Sequence, residues 1–181
     1  GVDWVDRQIL QQLLLEQVDQ EVSSAAELKK LLAEQGDAWL AEGSKELQEA
    51  LDDGYPLRYE QSAKVSFLYQ RGSLASFKVF HYGYSGGAHG MYTTSYQLLD
   101  LDGQRVLELN DILRSGQEQA LYEALMERYQ ADYSELAENW LSGSEQEIRA
   151  TLLSGSFVFN DQGLVFVYPP YVLGPYSEGE V

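Results

Sequence analysis

The sequence predicts an α+β fold, with a largely antiparallel sheet and helices packed on it. Residues 1–58 follow the hydrophobic period of amphipathic helices, and from residue 59 the chain changes to alternating runs separated by short turns. Helices grouped apart from hairpin-linked strands are typical of this class. With 181 residues, the chain is long enough for one well-buried core. We therefore expect a single domain over residues 1–181, with a helical half at 1–58 and a second half at 59–181.

The first third is predicted to be helical. Its first helix carries an apolar stripe with i, i+3/i+4 spacing over Val2–Val18. A capping-box sequence at Ser24–Glu27 opens a second helix. We expect this helix to stall near Gly36, to be interrupted at Gly43, and to stop at Gly54–Pro56.

The middle of the chain is predicted to form antiparallel strands. The run at 64–70 alternates apolar and polar residues, and Arg71-Gly72-Ser73 is a tight-turn sequence before the next strand. A further strand is expected at 92–101. Asp102-Gly103 then predicts a hairpin, because both positions tolerate the positive φ of a primed turn, and 106–109 is the return strand.

The C-terminal part is predicted to return to helix and then to form a second hairpin. Asn110 or Ser115 is expected to cap the next helix, Ser115 through a capping-box sequence. A third box at 144–147 opens a short helix. Two apolar runs, at 157–159 and 164–168, surround a turn sequence and predict a strand pair.

Composition excludes several classes of function. The net charge of −17, from 29 acidic and 12 basic residues, opposes binding to nucleic acid or to anionic membranes. The same charge is compatible either with solubility through self-repulsion or with attraction of a cationic partner. The absence of cysteine excludes disulfides and thiolate chemistry. No run approaches the apolar length of a membrane span, and residues 1–4 already open the amphipathic pattern rather than a targeting segment.

A glycine-rich stretch at 81–92 is the most unusual part of the chain and holds both histidines. Glycine at this density indicates a loop with positive φ angles or close backbone approach. We predict that Tyr84, Gly86, Gly87 and His89 contact a partner. The sequence at 83–87 also fits G-x-S-x-G, but the residues after Ser85 predict turn and strand instead of the helix that a serine hydrolase needs. The only histidine after Ser85 is His89, four residues away in the same loop, with no acid between them.

The two histidines leave an alternative open. His81 and His89, with Asp100 or Asp102, could ligate a metal in a small metal-dependent hydrolase. Two histidines are few ligands for a metal site. For this reason we favour the interpretation that a histidine ring hydrogen-bonds the loop backbone and fixes the turn. We therefore expect no metal, no cofactor and no catalytic residues.

The chain ends in a segment rich in proline and tyrosine. Proline stiffens the backbone, so that Tyr171, Pro175 and Tyr176 can be presented at low entropic cost, as in a binding anchor. A crossover that packs the same tyrosines onto the sheet is the alternative. We predict that these three residues contact a partner.

Five segments together resemble a known bacterial domain family. They are Tyr82–Gly90, Leu99–Gln104, Leu109–Leu113, Gly163–Phe166 and Tyr171–Gly179. The chain, over roughly residues 60–181, is similar to the domain of unknown function found in the extracytoplasmic part of the anti-sigma factor RsiV and in the peptidoglycan deacetylase PdaC, beside its catalytic domain. Gly174 departs from the alanine that is usual in the family.

This resemblance implies a non-catalytic α+β module of the bacterial envelope, secreted or lipid-anchored. The RsiV member of the family senses lysozyme by binding it directly, and lysozyme is cationic. The resemblance therefore leads us to expect a binding or sensor module for lysozyme, for a similar cationic protein or for a peptidoglycan component. A purely structural domain is the further alternative.

Overall fold

A computed structural model of the chain describes residues 3–14, 22–54, 57–161 and 163–181. Its helices are α1 (Asp3–Gln11), α2 (Ala25–Asp52), α3 (Leu109–Ile112), α4 (Glu118–Asp132), α5 (Ser134–Asn139) and α6 (Glu145–Leu153). Its strands are β1 (Glu60–Arg71), β2 (Leu74–Tyr84), β3 (Met91–Asp100), β4 (Arg105–Leu107), β5 (Ser156–Phe159) and β6 (Leu164–Val167). The predicted α+β class with antiparallel sheets is confirmed.

Helix α2 runs without a break, so the interruptions predicted at Gly36 and Gly43 are wrong. A glycine inside a helix lowers helix stability by only about 1 kcal/mol relative to alanine. A helix of this length that packs against α1 tolerates this cost. The predicted start is confirmed, since the Ser24 hydroxyl accepts a hydrogen bond from the Glu27 amide at 3.2 Å. Gly54, at φ 79°, follows the predicted end of the helix.

Some predicted helix positions lie outside the described residues. Val2 and Val18, at the two ends of the first apolar stripe, are among them, and α1 accounts for the part between Asp3 and Gln11. Tyr55 and Pro56, expected to stop the second helix, are also outside the described residues.

Strands β1 to β4 form one sheet in the order β1-β2-β3-β4. The predicted turn after Arg71 is confirmed, with Gly72 at φ 62°. The predicted hairpin between β3 and β4 is present, but Asp100 pairs with Arg105, so the loop has four residues, and Gln104 at φ 48° takes the left-handed conformation instead of Asp102 and Gly103. The Gly103 amide donates to Asp100 Oδ1 at 3.2 Å, which fixes this longer loop.

The predicted caps of the later helices differ in outcome. The box at 144–147 is confirmed: the Glu147 amide donates to the Ser144 hydroxyl, and the Ser144 amide donates to the Glu147 carboxylate. The prediction for Ser115 is wrong, because Gly116 at φ 79° turns the chain and α4 starts after Gln117. Asn110 lies inside α3, whose N-terminus is instead capped by Glu108 and Asp111.

The chain groups into two compact units, which are described separately. Unit 1 comprises Gly1–Ser66 and Val79–Tyr92, and unit 2 comprises Phe67–Lys78 and Thr93–Val181. Unit 2 contains two buried apolar clusters, one around Tyr129, Leu152, Tyr168 and Leu173, and one around Leu98, Leu107 and Phe157. The prediction of a single domain remains a prediction.

Candidate functional site

The glycine-rich loop of unit 1 connects β2 to β3 and is closed by its own residues. Gly86 and Gly87 take φ angles of 97° and 94°, which side chains other than glycine rarely adopt. The Tyr84 hydroxyl donates to the Gly87 carbonyl oxygen at 3.0 Å. The loop lies between two strands, so Ser85 is not at the strand-to-helix turn of a hydrolase nucleophile.

His89 is exposed on this loop. Its Nδ1 lies 3.0 Å from the Gly90 carbonyl oxygen, an acceptor, so this nitrogen carries the proton and donates. His81 lies in β2 and is half-buried. Within the described residues, no group of three or more His, Asp or Glu side chains could hold a metal ion. The arrangement of the histidines thus offers the metal-dependent alternative no support.

Tyr171 in unit 2 has the most unusual backbone among the predicted site residues. It takes φ 72°, although a bulky side chain disfavours the left-handed region. The Tyr171 amide donates to the Gly174 carbonyl oxygen at 2.9 Å, and the Val172 amide donates to the Pro169 carbonyl oxygen at 3.2 Å. These two bonds hold the chain in a tight turn that projects the Tyr171 side chain outward.

The rings of Tyr171 and Tyr176 form a pair at the surface of unit 2. Their centroids are 5.9 Å apart with an interplanar angle of 36°. Tyr171 is 46% exposed, and Tyr176 is half-buried at the start of a short 3₁₀ helix, Tyr176–Glu178, that Pro175 precedes. We call Tyr171, Pro175 and Tyr176 the tyrosine turn. An exposed aromatic ring backed by a second ring can stack on a flat or cationic group.

Tyr129, the buried residue that holds the backbone of the tyrosine turn at Leu173, was not identified from the sequence. Leu173, 1% exposed, is buried in the cluster around Tyr129, and the Tyr129 hydroxyl donates to the Leu173 carbonyl oxygen at 2.5 Å. Burial raises the pKa of Tyr129, which keeps the phenol protonated as a donor. In the sequence, Tyr129 shares a helix face with Leu121 and Leu125, which predicts a core position. A buried tyrosine hydroxyl needs an acceptor, and this was the only available signal.

A second anchor holds the chain after the tyrosine turn. Lys78 Nζ lies 3.3 Å from Glu180 Oε1 and 5.7 Å from the centroid of the Tyr96 ring. Burial alone lowers the pKa of Lys78, but Tyr96 and Glu180 outweigh it and raise the pKa above its ordinary value. The backbones of Tyr168 and Val181 also exchange two hydrogen bonds, at 2.9 and 3.1 Å. The tyrosine turn is therefore fixed at both ends.

The predicted partner-binding residues fall into two groups. Tyr84, Gly86, Gly87 and His89 share the loop of unit 1, and Tyr171, Pro175 and Tyr176 share the tyrosine turn of unit 2. The structure gives both groups a defined backbone. It shows no partner, so their role in binding remains a prediction.

The chain matches two family models. Residues 110–181 match a protein of unknown function, DUF3298, and residues 11–92 match the model described as Deacetylase PdaC. These two matches, each over less than half of the chain, support the family that the sequence motifs indicated. The second match starts within the helical part of the sequence, which the motif resemblance over residues 60–181 did not include.

Solved structures share the DUF3298 fold. A DUF3298 family protein from Bacteroides fragilis aligns with a TM-score of 0.65 and 22% identity over 84% of this chain and 64% of the other. A DUF3298 family protein from Pseudomonas aeruginosa aligns with a TM-score of 0.50 and 23% identity over 74% of this chain and 61% of the other. The chain therefore spans less than two thirds of the length of either protein.

No curated protein of known annotation matches the chain. Among the described residues, every helix is too short or too polar to cross a lipid bilayer.

Proposed function

We propose that this DUF3298 domain is a non-catalytic, extracytoplasmic binding module of the bacterial cell envelope that recognises a cationic protein such as lysozyme. The matches to DUF3298 and to the PdaC model support an envelope domain without catalysis. The tyrosine turn is the proposed contact surface, and the loop at 84–90 is a second one.

The geometry of Tyr171 carries the proposal. A bulky residue in the left-handed region costs on the order of 1–3 kcal/mol and persists only where surrounding contacts impose it. Here the strained residue is also exposed, and its ring contacts the Tyr176 ring in a tilted pair. A merely structural turn would be more stable with glycine at this position. Strain that holds an aromatic ring at the surface is expected of a binding anchor.

Charge supports a cationic partner. The chain carries −17, and Glu178 lies exposed within the 3₁₀ helix that Tyr176 begins. Such a field accelerates encounter with a basic protein, and an aromatic pair beside a carboxylate suits an arginine or lysine side chain. A peptidoglycan component could contact the aromatic rings of the tyrosine turn, but it would not gain the electrostatic attraction that a cationic protein gains.

The test is calorimetric titration with hen egg-white lysozyme at about 50 and about 300 mM NaCl, with lysozyme activity followed in parallel. We expect binding that weakens but persists at the higher salt. Tyr171→Ala and Tyr176→Ala should each weaken it by about 2 kcal/mol, roughly thirtyfold, while the thermal unfolding transition is retained.

Phe67→Ala is the matched control. Phe67 is 58% exposed and lies edge-on to the buried ring of Phe77 at 5.6 Å between ring centroids, so it is an exposed ring backed by a second ring outside the tyrosine turn. This variant should bind lysozyme as the parent does. Binding that vanishes at the higher salt would leave only charge attraction, and equal losses for all three variants would refute the tyrosine turn as the contact surface. Titration with soluble peptidoglycan fragments tests the other partner class.

A further inference from the structure

A cleft in unit 2 lies apart from the tyrosine turn and has no role in the proposed function. It has a volume of about 490 Å³, within the range of small-molecule sites. Its walls come from the end of β1, the start of β2, β3 and the turn between β5 and β6. The Tyr69 hydroxyl donates to the Phe159 carbonyl oxygen, which ties β1 to β5 along one wall.

The floor of the cleft is apolar. Leu98 is only 2% exposed and belongs to the buried cluster of unit 2 with Leu107 and Phe157. Leu74 and Phe159 pack against this cluster and also line the cleft. A small apolar group that enters the cleft would therefore pack against apolar side chains at the floor.

The rim carries two opposite charges that are not paired. Arg71 ends β1, Asp161 lies in the β5–β6 turn, and both are exposed and line the cleft. Neither has an ion-pair partner within 4.0 Å in the part of the chain that the structure describes. In the same part, five arginines do have a carboxylate partner: Arg7, Arg58, Arg105, Arg128 and Arg149.

Asp161 follows Asn160, which is joined to Gly163 by two hydrogen bonds. The Asn160 amide donates to the Gly163 carbonyl oxygen at 2.9 Å, and the Gly163 amide donates to Asn160 Oδ1 at 3.0 Å. On the other side, the Leu101 amide donates to the Ser73 carbonyl oxygen at 2.8 Å and fixes the turn after Arg71. Hydrogen bonds therefore lie close to both charged residues along the chain.

We propose that this cleft binds a zwitterionic small peptide or amino acid with an apolar side chain. Arg71 pairs with the ligand carboxylate, Asp161 pairs with its ammonium group, and the side chain rests on Leu74, Leu98 and Phe159. Guanidinium groups suit carboxylates because they offer two parallel donors.

Charge favours a zwitterion over a simple anion. The chain carries −17, which repels a free anion from Arg71, the cationic side chain among the described residues of the cleft. A free amino acid or peptide has no net charge near neutral pH, since its α-carboxyl is ionised and its α-amino group is protonated. It can therefore reach Arg71 without this repulsion and satisfy Asp161 at the same time.

The test uses L-alanyl-L-alanine as the probe, with its N-acetyl and its C-terminal amide derivatives, followed by ¹⁵N and methyl NMR shifts of the domain. We expect saturable shifts at Leu74 and Leu98. Each derivative lacks one charge and should bind about tenfold more weakly than the parent dipeptide.

The variants assign each charge to one end of the ligand. Arg71→Gln should remove the preference for the dipeptide over its amide, and Asp161→Asn should remove the preference over the N-acetyl form. Arg114→Gln is the control, since Arg114 is an exposed arginine outside the cleft, and it should retain both preferences. The proposal is overturned if Leu74 and Leu98 show no saturable shift up to ~100 mM dipeptide, or if the preferences survive in both cleft variants. Lysozyme binding should be unaffected throughout, which separates this site from the tyrosine turn.

Discussion

Single residues carry strain and unmet polar groups in this domain. Tyr171 at φ 72° carries backbone strain, which is offset by the Gly174 hydrogen bond and the burial of Leu173.

Two buried hydroxyls are unmet polar groups. Ser76 and Thr94 are 1% and 2% exposed, and in the described part of the chain neither hydroxyl has a hydrogen-bond partner.

Removal of an unmet hydroxyl should stabilise the domain. Thr94→Val replaces the hydroxyl with a methyl group of similar size and avoids the desolvation of an unpaired polar atom. We expect the free energy of unfolding to rise by about 1 kcal/mol, seen as a higher urea midpoint with an unchanged m value.

Thr94→Ser is the matched control for this prediction. It retains the hydroxyl and deletes the buried methyl group, so it should lower the urea midpoint. An equal or lower stability of Thr94→Val would mean that the hydroxyl has a partner, such as an ordered water.

At the scale of elements, a short helix depends on its cap. Helix α3 has only four residues and begins with a reciprocal capping box between Glu108 and Asp111. Asp111 also accepts from Arg105 at 2.6 Å, and Arg105 lies 3.8 Å from Asp100 across the hairpin. The backbone hydrogen bond from Glu108, followed by the one from Arg105, lowers the pKa of Asp111 below its ordinary value.

This pKa shift predicts how stability depends on pH. A carboxyl whose pKa is lower in the folded state contributes stability above its unfolded value, about 3.9, and loses this contribution as the pH falls through the folded value. We expect Asp111→Asn to lower the thermal midpoint at pH 7, and the difference from the parent to shrink below about pH 4.

Asp37→Asn is the control, because Asp37 is exposed in the middle of α2, away from any helix cap. Its effect on the midpoint should be small at every pH. A difference between Asp111→Asn and the parent that stays constant down to pH 2 would contradict an ionised cap.

Elements were predictable where the signal is local. The boxes at Ser24 and Ser144 place helix starts correctly, because a cap involves residues three positions apart. Ser115 has the same pattern, but the left-handed Gly116 moves the start of α4 past it. Gly36 and Gly43 mislead for a different reason: propensity is weak compared with the packing and cooperativity of a long helix.

At the scale of the whole molecule, the net charge of −17 opposes compaction. We expect added salt to stabilise the domain at neutral pH, with a rise of several degrees in the thermal midpoint between about 20 and 500 mM NaCl. The effect should disappear near pH 4.3, where the net charge is close to zero. A midpoint that is indifferent to salt at neutral pH would mean that screening weakens ion pairs as much as it relieves repulsion.

Some features of the candidate sites could be predicted from the sequence, and others depend on the tertiary structure. The glycine-rich loop and the tyrosine turn stood out in the sequence, because rare residue types in close succession restrict the backbone locally. The supports of the tyrosine turn come from distant residues: Tyr129 is 44 positions from Leu173, and Lys78 is 102 positions from Glu180. No local pattern connects residues so far apart. The cleft of Arg71 and Asp161 was missed for the same reason.

The sequence by itself determined the α+β class, the family motifs and the acidic character of this chain, because these follow from hydrophobic period, from residue type and from summed charge. The tertiary structure alone decided that Tyr171 is exposed, strained and backed by Tyr176, and that Arg71 and Asp161 face one apolar cleft. Exposure and pairing depend on which distant segments pack together, and the free energy of that packing is shared over many weak contacts that no single motif records.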